Sequence, residues 1–455
     1  MIEQNKTVAF LTLGCKVNTY ETEAMQQLLQ NAGYKIVEFH EKADVYIINT
    51  CTVTNIADRK SRQMLHKAKK MNPEAIVVAA GCYAQASKDQ LEEDLAIDIV
   101  IGNNKKKDIL EILNDYYKDT GKNEAVININ KEQEYEELKI ESLTEKNRAY
   151  IKIQDGCNQF CSYCIIPYTR GRVRSRKEED VVAEVNRLVK NGYKEVVLTG
   201  IHLSSYGIEL KKNAAPDQVE DYMKEETMPL LKIIMKLSEI EGLERIRLGS
   251  LEPRIITEYF VKILSENKKF CPHFHLSLQS GCDATLKRMN RKYTTEEYYD
   301  SCELIRKYFE HPAITTDVIV GFPGETEEEF ETTKEFLKKV AFAQMHVFKY
   351  SVRKGTRAEV MENQVSDQIK ASRSAELLEL DEQMNRVYQD GFMGKIEKIL
   401  IEESIEIDGI KYQIGHNERY QKIAVVADDS LVNEIVSVRI LNSLTKEILL
   451  SEIID

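Results

Sequence analysis

Tryptophan is absent from this 455-residue chain, and proline and glycine are scarce at 8 and 20 residues. That scarcity excludes collagen-like and Pro/Gly-rich low-complexity architectures. No apolar run approaches the ~18 residues of a membrane-spanning helix, so no membrane partner is expected. The first residues, Met1-Ile2-Glu3-Gln4-Asn5-Lys6, lack a positive segment followed by an apolar stretch, so no secretory leader is read and a cytoplasmic location is expected. A surplus of positive charge is missing too. The net charge of −12 excludes wholesale electrostatic capture of nucleic acid.

What is there is a globular composition, 42% hydrophobic and 30% charged, in a chain long enough for two or three domains. Charge is uneven. Glutamates crowd the stretch from Lys131 to Glu145, while basic residues gather at Arg59, Lys60 and Arg62, at Lys67, Lys69 and Lys70, at Lys105 to Lys107, and at Arg170, Arg172, Arg174, Arg176 and Lys177. Most such runs are solvated helix faces, but locally they suit RNA.

Apolar runs at Val8–Leu13, Val45–Ile48, Ile76–Ala80 and Ile97–Ile101 alternate with helical patterns over residues 1–116, predicting an open, flavodoxin-like parallel sheet. Residues 117–142 are polar and read as a linker with at most one strand, at Ala125–Ile129. From 143 to 375, strands are expected at Ala149–Gln154, Lys194–Thr199, Arg245–Ser250, Phe274–Gln279, Thr315–Gly321 and Met345–Tyr350. Helices lie between them, one opened by a capping box of Ser175 with Glu178. Six βα units predict a partial (β/α)6 TIM-like barrel. Residues 376–455 begin as a helix and end as a small all-β barrel, with turns at Asp408-Gly409 and Gly415-His416-Asn417.

Nine cysteines are an odd number for a disulfide framework, and nothing points to an oxidising compartment. Six fall into two groups of three; Cys271, Cys282 and Cys302 stand apart. Asp155-Gly156-Cys157-Asn158-Gln159-Phe160-Cys161-Ser162-Tyr163-Cys164 is C-x3-C-x2-C directly after a strand. Three thiolates at this spacing can hold three irons of a [4Fe–4S] cluster and leave the fourth open to an amino acid's amine and carboxylate. The alternatives are a buried helix face, which Gly156, Asn158 and Pro167 disfavour, and zinc, for which His202 is a distant fourth ligand. Cys15, Cys51 and Cys82 each sit at or just past the end of an apolar strand. In a parallel sheet those ends share one edge, so the three can converge on a second cluster; singly, each is as well read as a small buried hydrophobe.

The C-x3-C-x-aromatic-C run is the signature of the radical S-adenosylmethionine superfamily, in which the aromatic residue, here Tyr163, packs beside the adenine. Gly14-Cys15-Lys16-Val17-Asn18-Thr19-Tyr20-Glu21-Thr22-Glu23, Asn49-Thr50-Cys51-Thr52-Val53 and Gly81-Cys82-Tyr83 resemble the N-terminal domain of methylthiotransferases. With a C-terminal part resembling the RNA-binding TRAM module, the similarity covers essentially the whole chain. The resemblance implies two [4Fe–4S] clusters, S-adenosylmethionine, a tRNA anticodon stem-loop as partner, an external one-electron reductant and a monomer. It is nearest to the branch acting on N6-threonylcarbamoyladenosine at position 37. The isopentenyladenosine branch more often has Gln-Met-Asn after the first cysteine, and a ribosomal-protein branch also exists. From a different class, a non-catalytic cluster-bearing RNA-binding protein stays open.

Polar groups at barrel-strand carboxyl ends form the catalytic shell of such folds. The resemblance implies that Tyr163, Gly200, Ser250, Glu252 and Gln279 cradle the cofactor and that Arg291 or Arg170 pairs its carboxylate. His202, His273 and His275 read as structural. If extended, Arg170, Arg172, Arg174 and Arg176 share one side and can meet RNA phosphates, with Arg353, Lys354 and Arg357 extending that surface. From Gly391 onward there are twelve acidic residues against seven lysines and arginines, so RNA contacts there must be few, through residues such as His416, Asn417, Arg419 and Tyr420.

Overall fold

The computed structural model describes residues 6–118, 125–132, 134–140, 147–210, 228–427 and 430–454. The apolar runs near the N-terminus become strands because they are covered on both sides, the usual fate of parallel strands. They are β1 (Thr7–Thr12), β2 (Lys35–Val37), β3 (Val45–Thr50), β4 (Ile76–Gly81) and β5 (Ile99–Ile101). All pair in parallel, in the order β2-β1-β3-β4-β5. Helix α1 (Lys16–Asn31) follows β1 and α2 (Asn55–Met71) follows β3. Strand order reverses between β1 and β3, so their carboxyl ends flank the crevice where such sheets bind ligands.

The polar segment after this sheet is not a free linker. Its described part forms no strand; Val126, Ile129, Leu138 and Ile140 are buried, and the Ala125 carbonyl accepts from the Gly102 amide at 2.8 Å. The alternation at Ala125–Ile129 marks side chains tucked under a strap.

Six strands build the central half-barrel: β6 (Arg148–Lys152), β9 (Glu195–Thr199), β10 (Arg245–Leu248), β11 (His273–His275), β12 (Ala313–Val320) and β13 (Gln344–Lys349). The pair β7 (Gln154–Asp155) and β8 (Arg174–Ser175) stands apart at its mouth. The two three-stranded halves are joined by the bridges Ile246↔Phe270 and Leu251↔Leu276. Alternation sorts the faces: Ala149, Ile151, Val196, Leu198, Ile246, Leu248, Phe274 and Leu276 pack outward against helices in the largest core. The intervening residues, which include Tyr150, Arg247, His275 and Asp317, face the interior.

The expected capping box at Ser175 does not form. The helix Glu178–Lys190 starts without a side-chain cap, and the Ser175 hydroxyl accepts from the Gly207 amide at 2.8 Å. Complete boxes occur at Thr294 with Glu297 and at Thr326 with Glu329.

After the long helix Asp367–Asp390, strands β14 (Ile396–Ile407), β15 (Ile410–Asn417), β16 (Lys422–Val425), β17 (Ile435–Ser443) and β18 (Ile448–Ile453) close a barrel in the order β14-β15-β16-β18-β17. The turn after β15 docks under the half-barrel. Arg247 donates to the carbonyls of Asn417 (2.5 Å) and Glu418 (2.7 Å), and Arg245 to those of His416 (2.9 Å) and Lys398 (2.8 Å). Among the described residues no helix is long and apolar enough to cross a membrane.

Candidate active site

The cysteine loop leaves the mouth of the half-barrel through Gly156, whose φ is +70°. A Cβ there would lie 1.9 Å from the Arg172 carbonyl oxygen, so only glycine lets that chain cross behind the loop. The Cys157 amide then donates to the Gly171 carbonyl at 3.0 Å. Sulfur receives further donors: the Gln159 amide points at Cys157 Sγ (3.4 Å) and Arg291 Nη1 at Cys161 Sγ (3.4 Å). Burial pushes the Cys157 thiol up to about 12 and raises that of Cys164. Without a cation these thiols stay protonated; a metal displaces the proton.

The second trio forms where β1, β3 and β4 end. Gly14 (φ +104°) lets Cys51 approach: a Cβ at position 14 would meet Cys51 Cβ at 2.8 Å and its Sγ at 3.0 Å. Arg170 Nε points at Cys82 Sγ (3.2 Å), as does Asn103 Nδ2 (3.6 Å). Burial pushes Cys51 up to about 12 and raises Cys15. Beneath the trio lies a buried charge network. Glu21 pairs with Lys152 (2.7 Å), Lys106 (2.9 Å) and Arg170 (2.9 Å), and Asp155 with Lys152 (2.7 Å), Arg170 (3.1 Å) and Arg174 (3.7 Å). In these pairs four cations share two carboxylates, and among the described residues Arg174 Nε and Nη1 are buried without a hydrogen-bond partner. The surplus positive charge beside Cys82 suits an anionic group held by the three sulfurs.

Either trio fits a cluster better than a single ion. Among the described residues only His275, Asp317 and His346 bring three ligand atoms within 4.8 Å of one another. One zinc at about 2.3 Å from each sulfur would need sulfurs about 4 Å apart. Irons at separate corners of a cluster span the wider gap.

Family models match on both sides of the polar strap: one described as uncharacterized protein family UPF0004 over residues 7–102, and the radical SAM superfamily over residues 151–337. Over nearly full length the chain is 41% identical to the threonylcarbamoyladenosine tRNA methylthiotransferase MtaB of Bacillus subtilis (strain 168), covering 96% of this chain and 94% of that protein. The chain belongs to the radical S-adenosylmethionine methylthiotransferase family. The MtaB of Thermotoga maritima is 36% identical, over 97% of this chain and 96% of its own length. A tRNA-2-methylthio-N(6)-dimethylallyladenosine synthase of Thermoanaerobacter sp. (strain X514) is also 36% identical, over 94% and 89%. In fold, the chain resembles the radical S-adenosylmethionine methyltransferase TsrM of Kitasatospora setae, with a TM-score of 0.55 at 15% identity, covering 75% of this chain and 73% of that one.

Of the residues expected around the cofactor in this methylthiotransferase, Tyr163 lies within the first cysteine loop, and Arg291 and Glu252 contact that loop. Glu252 is buried and bound by Arg254 (2.7 Å), His202 (3.3 Å) and Gln159 (3.4 Å). Burial favours its neutral form, but His202 and then Arg254 hold its carboxyl down at about 2. Gln279 is buried at φ +75°, a strained conformation at a strand end. Gly200 lets Gln154 approach closely: a Cβ there would lie 2.9 Å from Gln154 Cβ and 3.2 Å from its carbonyl oxygen. Tyr163 packs edge-on to Phe322, and Ser250 is exposed. Arg291 is directed at Cys161 and at the Ser277 carbonyl.

The expected arginine row is corrected. Arg170, Arg174 and Arg176 are buried, the first two in the network above and Arg176 against Glu184, Glu137 and Tyr20. The row is not one extended strand: Arg170 caps the helical turn Ile166–Thr169, Gly171 bends the chain at φ +73° and strand begins only at Arg174, so Arg172 alone is exposed, over the Phe160 ring at 4.4 Å. Arg353 likewise ties the half-barrel to Asp58 (2.7 Å) and Thr52 (2.7 Å). Arg419 and Tyr420 are also spent internally. Arg419 donates to the carbonyls of His311 (2.9 Å) and Glu310 (3.0 Å). Tyr420 is stacked between His416 (4.5 Å) and His273 (5.3 Å), with Arg148 and Arg247 over its ring at 4.8 and 5.0 Å. Together they floor the half-barrel.

Above that floor lies a cluster of polar side chains that sequence reasoning missed. His275, expected to be structural, bonds Asp317 (3.3 Å), as does His346 (3.2 Å), and the two imidazoles stack at 5.6 Å. Lys16 enters from α1. Inward alternation along the strands was the available signal.

Proposed function

We propose that this chain attaches a methylthio group to ring carbon 2 of N6-threonylcarbamoyladenosine at position 37 of tRNA. The carrying observation is 41% identity over nearly the full length of a methylthiotransferase of that description, in a fold where both thiol trios flank one half-barrel. Cys157, Cys161 and Cys164 would hold one [4Fe–4S] cluster, and Cys15, Cys51 and Cys82 a second. With S-adenosylmethionine and an external one-electron reductant, these groups supply the radical chemistry that an unactivated aromatic C–H demands, and the sulfur.

The protein's own residues do the placing. Glu252, held ionised by His202 and Arg254, accepts hydrogen bonds from the cofactor's polar groups. Tyr163 and Gln279 line that layer, with Gly200 and Ser250 at neighbouring strand ends. Arg291 stabilises the thiolate of Cys161 by charge-assisted donation. The floor built by Arg247, Tyr420 and His416 keeps bulk water out of the interior. Arg172 and the Phe160 ring it covers offer the RNA a cation and a stacking surface at the mouth.

Two triple variants separate the roles. Replacing Cys157, Cys161 and Cys164 with alanine should remove one cluster's iron and abolish release of 5′-deoxyadenosine; replacing Cys15, Cys51 and Cys82 should preserve that release and eliminate thiolated RNA. Mass spectrometry of tRNA nucleosides from a deletion strain decides the substrate. Loss of the methylthio group from isopentenyladenosine, with the threonylcarbamoyl product intact, would overturn the choice of base.

A further inference from the structure

Beside the cluster of His275, Asp317 and His346 lies a cation that no acidic side chain answers directly among the described residues. Lys16 leaves the first turn of α1, and its ammonium lies 5.9 Å from the centre of the Tyr150 ring and 5.7 Å from that of Tyr420. Among the described residues no carboxylate comes within 4.0 Å of it. The acid nearest in influence, Glu195, is already shared by Arg148, Arg245 and Arg247. Glu195 is thus spent on three arginines and Asp317 nearby on two imidazoles, so neither answers Lys16 directly. Lys16 is nonetheless exposed to solvent.

A second donor faces the same space. His346, on β13, is half exposed, and its Nδ1 is held by Asp317 Oδ1 at 3.2 Å. Asp317 is itself braced by His275, which Thr315 orients through Nδ1 at 2.9 Å. With Nδ1 engaged, Nε2 of His346 has no partner among the described residues and is available to a ligand. The Tyr420 ring that Lys16 approaches stacks on His273 (5.3 Å), two residues along β11 from the His275 that stacks on His346 (5.6 Å).

We infer that Lys16 and His346 form the receptor for the carboxylate that ends the N6 substituent of the target adenine. The inference rests on the substrate reading above and sharpens it. A threonylcarbamoyl group brings an anion; a dimethylallyl group would leave Lys16 confined without a counter-charge. Tyr150 and Tyr420 supply flat walls for the rest of the substituent.

The test uses reconstituted holoenzyme and three anticodon stem-loops, carrying N6-threonylcarbamoyladenosine, its carboxamide and N6-dimethylallyladenosine. Wild-type kcat/KM should favour the acid by about 10- to 100-fold. In Lys16→Gln that preference should collapse to within about threefold, by loss on the acid alone, and Lys16→Arg should restore most of it. Iron content and 5′-deoxyadenosine release without RNA should match wild type. Because Lys16 adjoins Cys15, His346→Gln provides a second variant distant in sequence from both trios, with the same expected narrowing. Undiminished preference for the acid in both variants would refute the receptor while leaving the substrate intact. A wild-type protein that modifies only the dimethylallyl stem-loop would overturn both.

Discussion

At the scale of single residues, Glu21 decides more than its position in a surface-like Tyr-Glu-Thr-Glu run suggests. Fully buried, it answers Lys106, Lys152 and Arg170 at once. Those cations outweigh the burial that would raise its pKa and hold the carboxyl well below the usual range. Glu21→Gln should therefore cost about 3–5 kcal/mol in urea unfolding, since it strands buried positive charge. Arg172→Ala should change stability by no more than about 0.5 kcal/mol while weakening stem-loop binding, because that side chain alone of its row is exposed. This contrast marks how far residues were legible. Cysteines announce themselves by spacing and by strand ends. Alternating arginines do not say which side is inside, and His275, Asp317 and His346 acquire meaning only once strand register brings them together.

At the scale of elements, apolar runs and turn residues revealed all six barrel strands to within a few residues, because burial on one face imposes a two-residue period. The three-residue β2 escaped notice, being too short and too polar to show one. The contacts between elements were hidden as well, since they run through backbone carbonyls that any sequence supplies. Arg247→Met should loosen the C-terminal barrel, appearing as faster proteolysis after the helix Asp367–Asp390 under native conditions. That helix also carries a pH sensitivity. Asp381, which accepts from the Met345 amide at 2.6 Å, is raised by burial from 3.8 to about 6. The fold thus favours its protonated form, a stabilisation complete below about pH 4 and lost as pH rises through about 6. Asp381→Asn should flatten the stability profile over that window and add about 1–2 kcal/mol at pH 8, after discounting for partial exposure.

At the scale of the whole molecule, a net charge of −12 and a C-terminal barrel with acidic excess rule out a broad cationic platform. Stem-loop binding should accordingly show a shallow salt dependence, with log K falling by less than about 4 per decade of salt, the signature of few phosphate contacts. A slope near 8 would mean that a large basic surface has gone unnoticed. The Lys16 ammonium and the Tyr420 ring lie 5.7 Å apart although some 400 positions separate them in the chain. The two ends of the polypeptide therefore meet across the half-barrel, and its floor is complete only once the turn after β15 has been synthesised.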